Sequence, residues 1–453
     1  MAGDRPVIVW FRRDLRLADN ETLATAARLG PVVPLFVWDP ALLRTEATRR
    51  TEFLAGCVAS LDREIRIRGG RLVIRRGPPE VEVAALARAV QAQAVFVSAD
   101  FGPYGRQRDL AVKQSLGPVP LIEAGSAYLA SPGQLTRRDG SVPRFFSAYW
   151  RRWQELTGQG PISLPPLRFA RAPETDASIG PSAPSPSPGY IRAGERAALE
   201  RLEEFAATAT DGYMRARDRL DQQFTSGLSP YLRFGCIHPR TIVARLGGRC
   251  PELLRQLCWR DFFAATLWEN PQATNQPLRP GRGLPIETKG SEERLRAWQE
   301  ARTGYPIVDA AMRQLAATGW ISNRARLIVA GFLVADLHVS WRHGARWFMT
   351  QLLDGDVASN QLNWQWVAGC GSDPSPYLLI LNPTRQALRF DPQGHYVRRW
   401  LEELSHLNGP SVHTPWEQAH GLSRGYWQRI CDHDTEAHRL REWRSSASRG
   451  PAL

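Results

Sequence analysis

Short apolar runs separated by amphipathic stretches open the chain. VIVWF (7–11), VVPLFVW (32–38), RLVIRRG (71–77), AVFVS (94–98) and VPLIEAG (119–125) are each too short for a helix and predict strands buried on both faces. Between them, NETLATAARLG, RRTEFLAGCVASLDREIRIRG and PEVEVAALARAVQAQ carry helical periodicity and end in Gly, Pro or a polar helix start. Strand–helix alternation at this spacing predicts a parallel sheet with helices on both faces, a Rossmann-like α/β domain over residues 1–130. No GxGxxG follows the first strand, so the usual dinucleotide fingerprint is absent.

The pattern changes over residues 131–191, expected to form a linker. Pro161, Pro165, Pro166, Pro173, Pro181, Pro184, Pro186 and Pro188 crowd its second half, ending in PSAPSPSPG, which suits neither a helix interior nor a central strand. From residue 192 to 453 the pattern is helical almost throughout, as in RAGERAALERLEEFAATA, GRCPELLRQLCWRDFFAATLWEN and IVDAAMRQLAATG. No internal repeat or heptad pattern appears. The expected architecture is an α/β domain, a long linker and a larger all-α domain.

Composition narrows the classes. A chain of 453 residues suits two or three domains, and 43% hydrophobic with 23% charged residues fits a globular protein with a large core. No apolar run reaches membrane-spanning length, and MAGDRPVIVWFRRDLR lacks a signal-peptide layout, so a cytoplasmic protein with no membrane association is expected. Fifty-eight basic against 45 acidic residues leave a net charge of +13, which favours a polyanionic partner, foremost nucleic acid. Lys113 and Lys289 are the only lysines; a GC-rich coding sequence would exchange Lys for Arg without adding net charge. Six cysteines without a CxxC or Cys/His cluster predict buried free thiols and no metal. Sixteen tryptophans suit large cores, stacking platforms or electron relays.

The opening IVWFRRDLRLADNETL, with Trp10, Arg12, Arg13, Asp14, Arg16, Asp19 and Asn20, resembles the start of the photolyase/cryptochrome family. TSGLSPYLRFGCIHP (225–239), RQLCWRDFF (255–263), TGYPIVDAAMRQLAATGWISNRARLIVAGFL (303–333) and LLDGDVASNQLNWQWVAG (352–369) resemble that family's flavin- and DNA-binding segments, in its order and spacing. HTPWE and CDHDTEAHR extend the resemblance over essentially the whole chain, which is most like the bacterial class I-type cyclobutane pyrimidine dimer DNA photolyases. The family's fold, an α/β antenna domain and a helical FAD domain, agrees with the pattern above.

Thr225, Ser226 and Ser229 precede a helical PYLRFG, and their hydroxyls suit either a phosphate or a plain helix cap. The resemblance implies FAD phosphates on Thr225, Ser226, Gly227, Leu228 and Ser229, with a contact from Tyr213. Gly227 stands where many relatives have Arg, which leaves one phosphate contact in question. Asp354, Asp356 and Asn360 offer carboxylates and an amide for a flavin ring, or a solvated helix start. The resemblance implies that Asn360 faces flavin N5, that Arg326 pairs with Asp354, and that Asp356 contacts the ring.

Repair of a base within a duplex requires flipping it out, compensated by stacking and edge hydrogen bonds. Trp259 beside Arg260, and Trp366, are aromatic platforms or core residues by type; the resemblance implies two tryptophans against the dimer. It likewise implies UV-damaged DNA as partner, contacted by Arg217, Gln256, Asn323, Arg324 and Gln386. The (6-4) photolyases carry histidine at the position of Asn323 and again at that of Leu327. Their mechanism needs an imidazole proton donor, so its absence points to cyclobutane-dimer repair. Gln256 replaces the glutamate of well-studied bacterial relatives, keeping a donor but losing an exchangeable proton, and lower efficiency is expected.

For electron transfer, Trp364 and Trp341 match the proximal and middle members of the family's tryptophan chain. Thr288 occupies the distal position and cannot serve; Trp347 or a nearby tyrosine replaces it, or photoreduction is weak. ADFGPYGRQRD (99–109), with Tyr104, Gly105 and Arg106, resembles the antenna segment of members using an 8-HDF deazaflavin, with folate or an empty site as alternatives. The expected function is light-driven splitting of pyrimidine dimers by a monomer with no obligate protein partner. A cryptochrome-type photoreceptor without repair activity is the rival; the chain ends soon after LREWRSS, without the long tail common in cryptochromes. A flavoprotein acting in darkness is disfavoured because no nicotinamide-binding motif accompanies these segments.

Overall fold

The computed structural model describes residues 5–43, 47–171, 191–208, 212–222, 225–280, 290–372 and 380–447. The chain forms two compact units, one of Met1–Asp211, Ser226–Pro271 and Leu353–Ala358, the other of Gly212–Thr225, Gln272–Leu352 and Ser359–Leu453.

In the first unit, β1 (Val7–Phe11), β2 (Val32–Trp38), β3 (Val73–Arg76), β4 (Ala94–Ala99) and β5 (Leu121–Ser126) form one sheet in the order β3-β2-β1-β4-β5. All pairings are parallel, with Val7 opposite Val32 on one side and Ala94 on the other. Every residue of β1 and β2 is buried, as uninterrupted apolar strands covered on both faces must be. The order reverses between β1 and β4, which places a crevice at their C-terminal ends. A small cavity lies there, lined by Arg12, Arg13, Ser98, Asp100 and Tyr128.

Most of the RRDLRLADN segment is scaffold. Asn20 caps helix Glu21–Leu29 by accepting from the Leu23 N–H, and Arg16 donates to the carbonyls of Asp19 and Gly235. Asp19 accepts from Arg240, Thr241 and the Ile162 N–H. Gly235 has φ +65, and a Cβ there would lie 1.9 Å from the Arg13 carbonyl oxygen, so only glycine fits.

The segment expected as linker carries helix Phe146–Trp153 in its first half. FSAYWRRW places Phe146, Tyr149 and Trp153 on one face, and all three are buried. The Trp153 indole donates to Asp261 at 2.8 Å. Phe169 then bridges to Val32 on β2. The prolines that marked this region begin only at Pro161, so they carried no information about the helix before them. PSAPSPSPG lies outside the described residues.

The second unit contains no strand among its described residues. Its core joins helices Ser291–Gln299, Pro306–Thr318, Asn323–Gly331, Trp341–Gln351 and Val357–Val367 around Trp298, Met312, Phe332, Phe348 and Trp364. Asp309 is fully buried and accepts from the Thr303 and Gly304 N–H groups and from the Thr303 and Tyr426 hydroxyls. That fourfold satisfaction offsets the cost of burying a carboxylate and fixes the turn that opens TGYPIVDA. Among the described residues no helix is long and apolar enough to cross a membrane, and no cluster of His, Cys, Asp and Glu could hold a metal. All six cysteines are free, and all but Cys431 are buried.

Candidate functional site

Two groups of candidate cofactor residues fall in the first unit. Ser226 to Ser229 form a turn into helix Ser229–Phe234, with the Ser226 hydroxyl receiving the Leu228 N–H at 3.5 Å. Gly227 adopts φ +65, and a Cβ there would lie 3.2 Å from Arg201 Nε. Arg201 donates to the Ser226 carbonyl at 2.8 Å. A cation from helix Glu195–Thr208 therefore stands beside Gly227. Serine hydroxyls, backbone N–H groups and a guanidinium are the donor set a pyrophosphate requires.

The second group is the acidic turn Leu353–Ala358. Asp356 pairs with Arg13 at 2.7 Å, Arg233 donates to the Gly355 carbonyl at 2.7 Å, and Asp354 is buried within electrostatic reach of Arg50. Burial, reinforced by the neighbouring Arg13, pushes Arg233 down to about 9. Arg13, Arg50 and Arg233 are thus brought to one short acidic segment from three distant places in the chain.

Helix Pro251–Glu269 carries Gln256, Trp259 and Arg260, three and four residues apart and so on one face. Trp259 is half-buried and lies flat on Phe146, with ring centroids 3.8 Å apart and planes 2° from parallel; Phe262 meets it edge-on and Phe263 at a 34° tilt. Arg255 lies over Phe146 and Trp150. The structure turns Arg260 inward: it donates to the carbonyls of Ala127 and Leu232 and lies 4.4 Å over Tyr128. Burial pushes the adjacent Asp261 to about 6, despite Arg260 and bonds from the Ala130 N–H and the Trp153 indole.

The antenna candidates Tyr104, Gly105 and Arg106 begin helix Pro103–Ser115. Tyr104 donates its hydroxyl to Asp39 and remains 39% exposed, while a Cβ on Gly105 would lie 2.3 Å from Asp100 Cγ. Beneath them Arg12 pairs with Asp109, and Arg108 with Asp100 and Asp109. Burial pushes the Asp100 carboxyl up, but Arg13, Arg108 and Arg12 outweigh it and hold the group below the usual carboxylate range.

In the second unit, Asn360 is buried and its Nδ2 donates to the Ala345 carbonyl at 3.0 Å. Trp364 packs edge-on against Trp298 and Phe348 and fills the space Gly344 leaves, where a Cβ would lie 2.2 Å from its ring. Trp341 is buried in the same core, with Trp347 and Trp366 partly buried against it. Thr288 lies outside the described residues. Asn323 and Arg324 open a helix capped by Ser322. Arg324 pairs with Asp218 at 2.7 Å and stacks on Phe390, and Arg217 approaches the same carboxylate at 3.8 Å. Buried Gln386 Oε1 and Arg324 Nε have no hydrogen-bond partner among the described residues. Arg326 donates to the Ile321 carbonyl, Tyr213 packs under Arg217, and Thr225 is half-buried.

Sequence reasoning missed Arg201, Arg50, Arg233, Phe146 and Arg255. Of these, only Arg233 and Arg255 sit in the family-like segments, and neither carries a spacing signal. Phe146 was recoverable from the helical stripe of 146–153.

One unit built on a parallel sheet with cations at its switch point, and a second that is helical and rich in buried tryptophan, agree with the expected fold class. Residues 7–168 match the family model described as DNA photolyase, and residues 253–445 that described as the FAD binding domain of DNA photolyase. The chain belongs to the DNA photolyase family. It is 39% identical to the deoxyribodipyrimidine photo-lyase of Streptomyces griseus, over 92% of this chain and 93% of that one. It is 33% identical to the deoxyribodipyrimidine photo-lyase of Escherichia coli, over 94% and 95%. Among solved structures, a class III photolyase from Agrobacterium tumefaciens aligns with TM-score 0.87 at 30% identity over 99% of both chains. A cryptochrome from Synechocystis sp. PCC6803 aligns with TM-score 0.84 at 26% identity, over 98% of this chain and 100% of that one.

Proposed function

We propose that this protein splits cyclobutane pyrimidine dimers in UV-damaged DNA when light excites its reduced FAD. What supports it most is the likeness along nearly the whole chain to relatives named deoxyribodipyrimidine photo-lyase. FAD supplies the light-excitable electron donor when bound. Thr225, Ser226, Gly227, Leu228 and Ser229 hold its phosphates, with Tyr213 adding a contact and Arg201 supplying the charge that Gly227 lacks. Asp356, paired with Arg13, would accept from the ring's imide N–H when FAD is bound. Asp354 and Arg326 belong to the same set. Asn360, its Nδ2 committed to Ala345, presents Oδ1 as an acceptor for a ring N–H.

On the DNA side, Trp259 and Trp366 stack on the flipped pyrimidines, and Gln256 donates to a pyrimidine carbonyl. Phe146 backs one face of Trp259. Asn323, Arg324, Arg217 and Gln386 contact the lesion strand; a phosphate would relieve the two arginines that share Asp218. Arg260 braces Trp259's helix from within, so its part is indirect. Trp364 and Trp341 carry electrons inward. Asn323 and Leu327 leave no imidazole for (6-4) repair.

Residues 1–130 serve as the antenna domain, 131–191 as the connection and 192–453 as the FAD- and DNA-binding domain. Tyr104, Gly105 and Arg106 border the antenna, an 8-HDF deazaflavin, with folate the alternative. An archaeal photolyase from Sulfolobus tokodaii, 30% identical with TM-score 0.82, is described with two FAD molecules, so a second flavin is also in range. The protein acts as a cytoplasmic monomer. Two measurements test the assignment: flavin bands plus a second chromophore band in the visible spectrum, and tighter binding in darkness of dimer-containing than of undamaged duplex. A spectrum without flavin, or equal affinity for both duplexes, would overturn it, the latter in favour of a photoreceptor.

A further inference from the structure

Cys57 and Cys236 lie 179 residues apart in the chain, yet their sulfurs meet. The Cys236 thiol donates to the Cys57 sulfur at 3.4 Å, and both residues are fully buried. Cys57 belongs to the inward stripe of helix Thr48–Ile67, in which Phe53, Cys57, Leu61 and Ile65 recur every four residues. Phe53, one turn earlier, packs on Tyr231 and Phe234 of helix Ser229–Phe234. Gly235 ends that helix at φ +65, and the Cys236 N–H that follows donates to the Tyr231 carbonyl at 2.9 Å. Cys57 also takes a backbone hydrogen bond from Gly194, which leads into the helix that carries Arg201. Regular structure on each side, not a free loop, therefore holds the two sulfurs together.

A single buried cysteine packs as a small apolar group. Two sulfurs in contact can also become a disulfide, whose bond of about 2.05 Å requires an approach of about 1.4 Å, shared between two side chains. We propose that Cys57 and Cys236 form a dithiol that hydrogen peroxide converts reversibly to a disulfide. One sulfur, as its thiolate, attacks peroxide; the O–O bond breaks, and the departing hydroxide with that thiol's proton makes one water. The other thiol attacks the resulting sulfenic acid; the S–S bond forms, the S–O bond breaks, and hydroxide leaves with the second thiol's proton as another water. Two thiols lose two electrons and two protons in all, and one peroxide gains them. Small-molecule thiols reverse the step by exchange and leave as their own disulfide, so in a reducing compartment the bond is transient. Burial raises the Cys57 thiol, which makes the first attack slow at neutral pH and faster above it. The disulfide ties helix Thr48–Ile67 to the segment that starts at turn 226–229. A consequence for flavin release rests on the reading of that turn as the phosphate site.

The test exposes the full-length flavoprotein to hydrogen peroxide, blocks the remaining thiols with an alkylating reagent in denaturant, and maps the peptides by mass spectrometry. The expected product is a peptide pair joined through Cys57 and Cys236, lighter than the free peptides by two hydrogens and separated by a dithiol reductant. Cys431→Ser removes the half-buried competing thiol and should leave the linkage unchanged. Cys236→Ala should abolish it, and Cys57→Ala serves the same purpose should Cys236→Ala fail to fold. Flavin release on dilution should slow by about threefold or more in the oxidised wild type, because local opening of a tethered segment is harder, and not in an equally treated Cys236→Ala. Full alkylation of both Cys57 and Cys236 after peroxide has oxidised Cys431 would overturn the proposal. So would oxygen added to either sulfur without linkage. Linkage with unchanged flavin release would uphold the thiol pair and count against turn 226–229 as the phosphate site.

Discussion

Trp259→Ala should separate lesion recognition from cofactor retention. The ring lies 3.8 Å from Phe146 and touches Phe262 and Phe263, so its removal undoes one aromatic stack and opens one face of helix Pro251–Glu269. Base–aromatic stacking contributes about 1–3 kcal/mol, so affinity for dimer-containing DNA should fall by about 5- to 150-fold. The folding cost should be roughly 2–3 kcal/mol, below that of a fully buried tryptophan, because the ring is half-exposed and its partners can close in. The turn 226–229 and its Arg201 brace involve none of these rings, so flavin content should not change. Competition binding with dimer-containing duplex, alongside the flavin-to-protein absorbance ratio, reads both quantities. Trp259→Phe keeps a stacking face and should recover most of the affinity. Loss of flavin with undiminished DNA affinity would refute the assignment and put this helix face in the cofactor pocket.

Three further outcomes are expected. Arg201→Gln should weaken FAD retention by about tenfold or more, the value of one charge-assisted contact, as measured by flavin release on dilution. Gln256→Glu should raise the repair yield per absorbed photon while leaving DNA affinity within about threefold, since a protonated carboxyl donates to a carbonyl as the amide does; an unchanged yield would remove Gln256 from the chemistry. Asp261 is raised by burial from 3.8 to about 6, so the folded state holds its proton more tightly than the unfolded chain. Its contribution is therefore fully present below about pH 4 and lost as pH rises through about 6, on the order of 3 kcal/mol. Asp261→Asn keeps an acceptor for the Ala130 N–H and the Trp153 indole, and its melting temperature should vary less than wild type between pH 4 and 6.

The sheet was legible because β1 and β2 are apolar without interruption, a pattern with few alternatives once Gly and Pro bound it. Helix Phe146–Trp153 was hidden by the prolines that follow it. The cofactor segments were legible as motifs, but their charge partners were not. Arg13 and Asp356 lie 343 residues apart, and no local pattern announces that they meet. Arg201 sits on an ordinary amphipathic helix and gains meaning only because Gly227 lacks a side chain beside it. Arg260 reads as an exposed cation next to Trp259, yet two backbone carbonyls draw it inward. Gly344 looks incidental until Trp364 is seen filling the space a side chain would need.

The most direct measurement is recovery of pyrimidine ultraviolet absorbance when the reduced protein and dimer-containing oligonucleotide are illuminated with blue light, beside an identical dark sample. Intact pyrimidines should reappear over many turnovers in the lit sample and not at all in the dark one. Flavin-loaded, reduced protein that binds the damaged strand yet returns no pyrimidine absorbance under light would contradict the proposed repair.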